Sequence, residues 1–252
     1  MAVHTFHTPQ PVELELKVPA GDIEIETVDG DESTVVVDGS DKLVEQTTVD
    51  LVGNRLVVSF RSKGAFGITI SIGDFSFGGS RLTIRVRVPH GSRAELSTAA
   101  ADMELRGRFA ALEAKTAAGD LVVDGEIEGD AEVKTVSGDV RFRSVGGDLR
   151  MQTVSGDVTA GSVGGDVTAK SVSGDVRVES ARAGRVTAQS VSGDIEVGVA
   201  PGTNLDVDAG SVSGDLTSEV ALGSDAGDVV DGPTLVVRGK TVSGDFKVFR
   251  AA

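Results

Sequence analysis

The sequence predicts an all-β protein: a β-solenoid (single-stranded β-helix) of ~18-residue coils with an N-terminal antiparallel β cap region. Three observations carry this. Val-Ser-Gly-Asp recurs at Val136–Asp139, Val154–Asp157, Val172–Asp175, Val191–Asp194, Val212–Asp215 and Val242–Asp245. A sister motif, Val-Gly-Gly-Asp, falls between the first three copies at Val145–Asp148 and Val163–Asp166. After each of these Asp residues, apolar and polar side chains alternate with period two, as in a strand with one buried face. No single repeat can bury its own apolar side, so the repeats must stack.

In chain order, residues 1–95 read as antiparallel strands that cap the stack. Val12–Val18 alternates cleanly; Ile23–Glu26 and Thr34–Val37 follow, broken by Gly21-Asp22 and Gly30-Asp31. Arg55–Phe60 and Leu82–Val88 are two more strands. Between them, Gly64–Gly79 sets Phe66, Phe75 and Phe77 among glycines, the pattern of a mobile hairpin or of an adaptable apolar contact surface. No helix is signalled; Phe109–Ala114 is short, and its repeat register makes it a strand.

The solenoid is expected over residues 96–252, continuous with the cap as one structural unit. Gly119-Asp120 and the degenerate Ala101-Asp102 extend the register backwards. The main Asp series is then 102, 120, 139, 157, 175, 194, 215 and 245, with steps of 18, 19, 18, 18, 19, 21 and 30 residues. The last two steps hold loops at Ala200–Asn204 and Leu222–Thr234. Behind Asp148, Leu149 and Met151 alternate with Arg150 and Gln152; Val158 and Ala160, Val167 and Ala169, and Val176 and Val178 repeat the pattern. The alternation is expected to break before Val154, Val163 and Val172, where the Gly-Asp turn begins. With coils about 4.8 Å apart, the seven steps span roughly 34 Å. Both ends would expose unpaired backbone. The cap region is expected to cover one, with Phe246, Val248 and Phe249 helping to close the other.

Composition narrows the functions. The chain has 252 residues, enough to bury about three quarters of its unfolded surface. All 9 aromatic residues are Phe, and there is no Cys, which excludes disulfides and thiolate metal sites and fits a reducing compartment. The net charge of −15 argues against nonspecific nucleic-acid binding and against anionic membrane surfaces, while permitting cations and basic partners. Met1–Pro9 lacks the basic start and apolar core of a secretory signal, and no apolar run is long enough to span a membrane. The cytoplasm is the expected compartment, envelope association the alternative.

No catalytic residue and no cofactor is implied. His4, His7 and His90 are the only histidines, two of them at a terminus expected to fray; a solvated end explains His4 and His7 better than a metal site. No Gly-x-Ser-x-Gly, Walker-type loop or His-Glu-x-x-His occurs. A polysaccharide-acting β-helix enzyme would use paired carboxylates, but here the carboxylates belong to the repeat. Stacked carboxylates repel unless compensated. Calcium held by Asp139, Asp148, Asp157, Asp166 and Asp175 is one compensation, although the Gly-x-Asp spacing of nonapeptide calcium solenoids is missing. The simpler one is that each Asp accepts backbone N–H bonds of its turn.

Val18–Asp22, Val88–Ser92 and the six Ser-Gly-Asp copies together resemble a bacterial β-strand-repeat domain of unknown function labelled "putative adhesin". The resemblance covers most of the chain, transfers no catalytic residue, and implies a link to cell-envelope or stress functions. The combined expectation is a non-enzymatic binding or scaffold solenoid. It presents ladders of Asp, Ser, Thr and Arg to an unknown protein or polymer partner. A monomer is favoured, with end-to-end assembly where an end is left open.

Overall fold

The computed structural model describes residues 1–61, 81–220 and 232–251. One coil runs through the strand Val140–Val145, a Gly-Gly-Asp corner, the strand Leu149–Gln152 and a Ser-Gly-Asp corner, then rises to Val158–Val163. Val140 lies beside Val158 and Leu149 beside Val167 in parallel register, so residues eighteen apart are neighbours. The stack therefore has two β-faces and two kinds of corner. Val140, Phe142, Val145, Leu149 and Met151 fill the interior of this coil, and every next coil adds the equivalent set. Parallel stacking continues N-terminally to the long strand Glu13–Val28, which bends to supply both faces and pairs with Ser92–Lys115 along most of its length.

The two corners differ in a way the pattern of apolar residues conceals. At the Gly-Gly-Asp corner the alternation does break, and Val145 and Val163 turn inward, 1% and 3% exposed. At the Ser-Gly-Asp corner it does not break. Leu149, Met151 and Thr153 all point inward, so Val154 is outward in ordinary phase, 43% exposed. A hydroxyl residue, not the Val, is the inward member of that corner.

The N-terminal end is closed by antiparallel strands. Ala2–His7 pairs with Glu32–Asp38, which pairs with Thr83–Pro89 at the end of one face. Thr47–Val52 pairs with Arg55–Phe60 at the end of the other. The chain crosses between these two extensions through a helix, Asp41–Gln46, which the sequence did not signal. Ser40 makes no side-chain cap, and six residues are too few to be helical on their own. The helix is held instead by burial of Leu43 and by Thr47 Oγ1 donating to the Leu43 carbonyl (2.9 Å). The terminus does not fray either: Ala2–His7 is an ordered edge strand. Gly64–Gly79 and most of Leu222–Thr234 lie outside the described residues.

At the other end the coils do not follow chain order. Ile195–Val199 pairs with Phe246–Arg250, and Gly184–Gln189 with Thr234–Ser243. The coil made of Asn204–Ser213 and Leu216–Ser218 stacks outside them. Phe246 and Val248 are therefore interior residues of the penultimate coil, not the closure expected of them. Side-chain size explains the order. Leu235, Val237, Phe246 and Val248 are core-filling residues, and Gly239 leaves the space occupied by the Phe246 ring. The outer coil matches Leu235 and Val237 with Leu205 and Val207, but it sets Leu216 beside Phe246 and Ser218 beside Val248.

The corner asymmetry is tested by paired substitutions. Val163→Ser should destabilise the protein by about 3 kcal/mol, through lost apolar burial and an added buried hydroxyl. Val154→Ser should stay within about 0.5 kcal/mol of the parent in chemical denaturation.

Candidate functional site

The Ser-Gly-Asp corner is built by close backbone approach. A Cβ placed on Gly138, Gly156, Gly174 or Gly193 would overlap the carbonyl of the glycine one coil below. Gly138 also has φ +133°, where a side chain is strained. With the side chain absent, the following Asp reaches the coil above. Asp120 Oδ1 accepts the backbone N–H of Asp139, Asp139 that of Asp157, Asp157 that of Asp175, and Asp175 that of Asp194, at 2.8–3.0 Å. The series continues in spatial order, Asp194 accepting from Asp245 and Asp245 from Asp215, both at 2.8 Å. At its foot, Arg81 binds the carboxylates of Asp22 (2.7 Å) and Asp102 (3.3 Å).

Asp148 and Asp166 belong to a second ladder at the opposite corner. Asp130 Oδ1 accepts from Asp148 N, Asp148 from Asp166 N, and Asp166 from Arg185 N, at 2.8–3.0 Å. The five residues Asp139, Asp148, Asp157, Asp166 and Asp175 thus alternate between two corners and do not line one edge. The hydrogen bond is also longer in reach than an Asx turn, since the donor sits one coil on. Among the described residues, no group of three or more His, Cys, Asp or Glu could hold a metal ion.

His4 and His7 are three apart on one strand and so face opposite ways. His90 is structural: its Nδ1 bonds Thr27 Oγ1 (2.7 Å), which also accepts from Arg108 N. A charged groove of about 440 Å³ crosses the face formed by Glu13, Arg55, Arg93, Glu113, Glu132 and Arg150. Three of its carboxylates are tied to cations: Glu15 to Lys17 and Arg55, Glu113 to Lys115, Glu132 to Lys134. The hydrogen bond from Lys17 holds the Glu15 carboxyl below the usual carboxylate range, with the charges of Lys17 and Arg55 reinforcing it. The Lys134 hydrogen bond does the same for Glu132.

The Ser-Gly-Asp corner carries what the periodicity missed. Val136, Val154, Val172, Val191, Val242 and Val212 form an outward file, each 43–82% exposed. Beneath it lies an inward file of hydroxyls, of which Thr135, Thr153, Ser171 and Ser190 have no hydrogen-bond partner. In the outermost coils the equivalents bond glycine carbonyls, Thr241 to Gly193 (3.3 Å) and Ser211 to Gly244 (3.0 Å). On one side of the Val file run Lys134, Gln152, Lys170, Gln189 and Lys240; on the other, Ser and then the Asp ladder. The signal for this file was present in the sequence as a Thr/Ser immediately before each motif Val.

The ladder is tested at Asp157. Asp157→Ala leaves the Asp175 N–H without its acceptor and should cost about 1–2 kcal/mol by denaturation. Asp157→Asn keeps an acceptor oxygen and should cost less than half as much.

Comparison with known proteins follows this geometry. No curated protein matches the chain. A crystal structure of a "putative lipid binding protein" from Parabacteroides distasonis is similar over 98% of this chain and 96% of that one, with 14% identity and a TM-score of 0.62. A "putative adhesin" from the same species covers 98% and 97%, with 14% identity and a TM-score of 0.51. These likenesses establish a shared fold. The Toastrack DUF4097 family matches residues 12–249, nearly the whole repeat and its cap, and the chain belongs to that family.

Proposed function

We propose that this protein is a non-enzymatic binding or scaffold module whose contact surface is the Ser-Gly-Asp corner. The observation that carries the reading is the exposed Val file. Six β-branched apolar side chains at about 4.8 Å spacing make a straight apolar ridge roughly 24 Å long. Soluble proteins rarely leave an ordered apolar line in water unless something covers it. The ridge is rigid, because each Val but Val212 follows a buried hydroxyl residue, and every one precedes a glycine held close against the neighbouring coil. Its partner is a protein or polymer with a complementary apolar edge. Lys134, Lys170 and Lys240 on one flank and the Asp ladder on the other would fix its orientation, as charges flanking an apolar contact do. The adhesin label of the structural neighbours and an association with the cell envelope suit such a role. Among the described residues, no helix is long and apolar enough to cross a membrane.

The test is the triple variant Val154→Ser, Val172→Ser, Val191→Ser. It should unfold at nearly the parental denaturant midpoint and lose crosslinking to the partner through a photoreactive residue at Ser173. Turnover of a polysaccharide by the pure protein, or full crosslinking by the triple variant, would overturn the proposal.

A further inference from the structure

Toward the C-terminal end of the stack, the strip between the Lys file and the Val file opens into a trough of about 660 Å³. It crosses four coils and is lined by Lys170, Gln189 and Lys240 on one wall and Val191, Val242 and Val212 on the other. Three coil steps make it about 14 Å long. Its floor is made by Ser171, Ser190, Thr241 and Ser211, and the hydroxyls of Ser171 and Ser190, like those of Thr135 and Thr153 in the earlier coils, have no partner. Two features set it apart from the rest of the corner. Gly210 takes the place that Lys or Gln occupies elsewhere in the file, and a Cβ there would meet nothing within 4 Å. Finally, Lys115 and Lys134 are paired with glutamates, whereas among the described residues neither Lys170 nor Lys240 has a carboxylate partner.

We propose that this trough binds a single linear anionic amphiphile, a medium-chain alkyl carboxylate. The reasoning is complementarity. The Val wall and the aliphatic stems of the lysines run parallel across four coils, and a flexible alkyl chain is a ligand that can lie along such an elongated, apolar-walled trough. Two unpaired ammonium groups on the rim of a chain with net charge −15 mark a local cation site that a carboxylate head would satisfy. The inference shares the corner with the proposed binding surface and lies at its C-terminal end, so Val136 and Val154 belong to the ridge alone.

The experiment is calorimetric titration of the whole protein with monomeric decanoate, decanol and acetate at low ionic strength. Decanoate should bind with a stoichiometry of one, decanol about fivefold more weakly, and acetate not at all. Lys170→Gln with Lys240→Gln should weaken decanoate about fivefold, down to the affinity of decanol. Gly210→Phe should fill the trough and abolish binding, while Val154→Ser leaves it unchanged. A denaturation midpoint for each variant confirms that it is folded. The proposal is overturned if decanoate gives no saturable binding, if decanol binds equally well, or if Gly210→Phe binds decanoate as the parent does. Loss of decanoate binding with partner crosslinking retained would sink this inference alone and leave the ridge proposal standing.

Discussion

The structure depends on one interaction repeated at every level: a carboxylate oxygen accepting the backbone N–H of the equivalent residue one coil on. It answers two problems together. Stacking like charges at about 4.8 Å is unfavourable, and corner backbone that leaves the strand ladder has donors without partners. Using one oxygen of each Asp as the acceptor resolves both, and it fixes the rise of the coil at the corner as firmly as the strands do on the faces. From Gly119 onward the glycine before each ladder Asp is required for the same reason, since any Cβ there would push the coils apart. Ser-Gly-Asp is thus a mechanical unit, and its recurrence says more about how the stack holds together than about what it binds.

Exposed ion pairs across coils add register without much stability. Arg85 with Glu24, Arg87 with Glu26 and Arg143 with Asp124 each join neighbouring strands at 3.1–3.2 Å. All are solvent-accessible, where such pairs contribute little. They disfavour a one-residue slip, which would turn the core residues outward.

Much of the fold was legible because the strongest signal, an eighteen-residue spacing of Gly-Asp, is itself imposed by the stacking contact. The strands of the cap region were legible from alternation, but their directions were not: Glu13–Val28, expected among antiparallel strands, runs parallel to Arg55–Phe60, Thr83–Pro89 and Ser92–Lys115. What escaped detection has identifiable causes. The helix Asp41–Gln46 has no side-chain bond at its N-cap and only Leu43 and Val44 to mark it. The Val file was hidden because Val is ordinarily taken as core, while the true inward residue, Thr153 or Ser171, is polar. Distinguishing Val154 from Val163 needs the local phase, which differs by one residue between two motifs that look nearly alike. The order of the last two coils could not be read from spacing, because both carry the same motif; it is decided by which one fills the core.

That exchange of order bears on how the protein is made. During synthesis the segment Asn204–Ser218 emerges before Thr234–Arg250, yet its place in the stack exists only after the later segment has docked. The growing solenoid cannot simply zip up from its N-terminus. It must hold the strands Gly184–Gln189 and Ile195–Val199 as an open edge until Thr234–Arg250 has been made. Open edges of this kind recruit other chains. A chain truncated before Thr234 would therefore keep that edge exposed and be prone to aggregation.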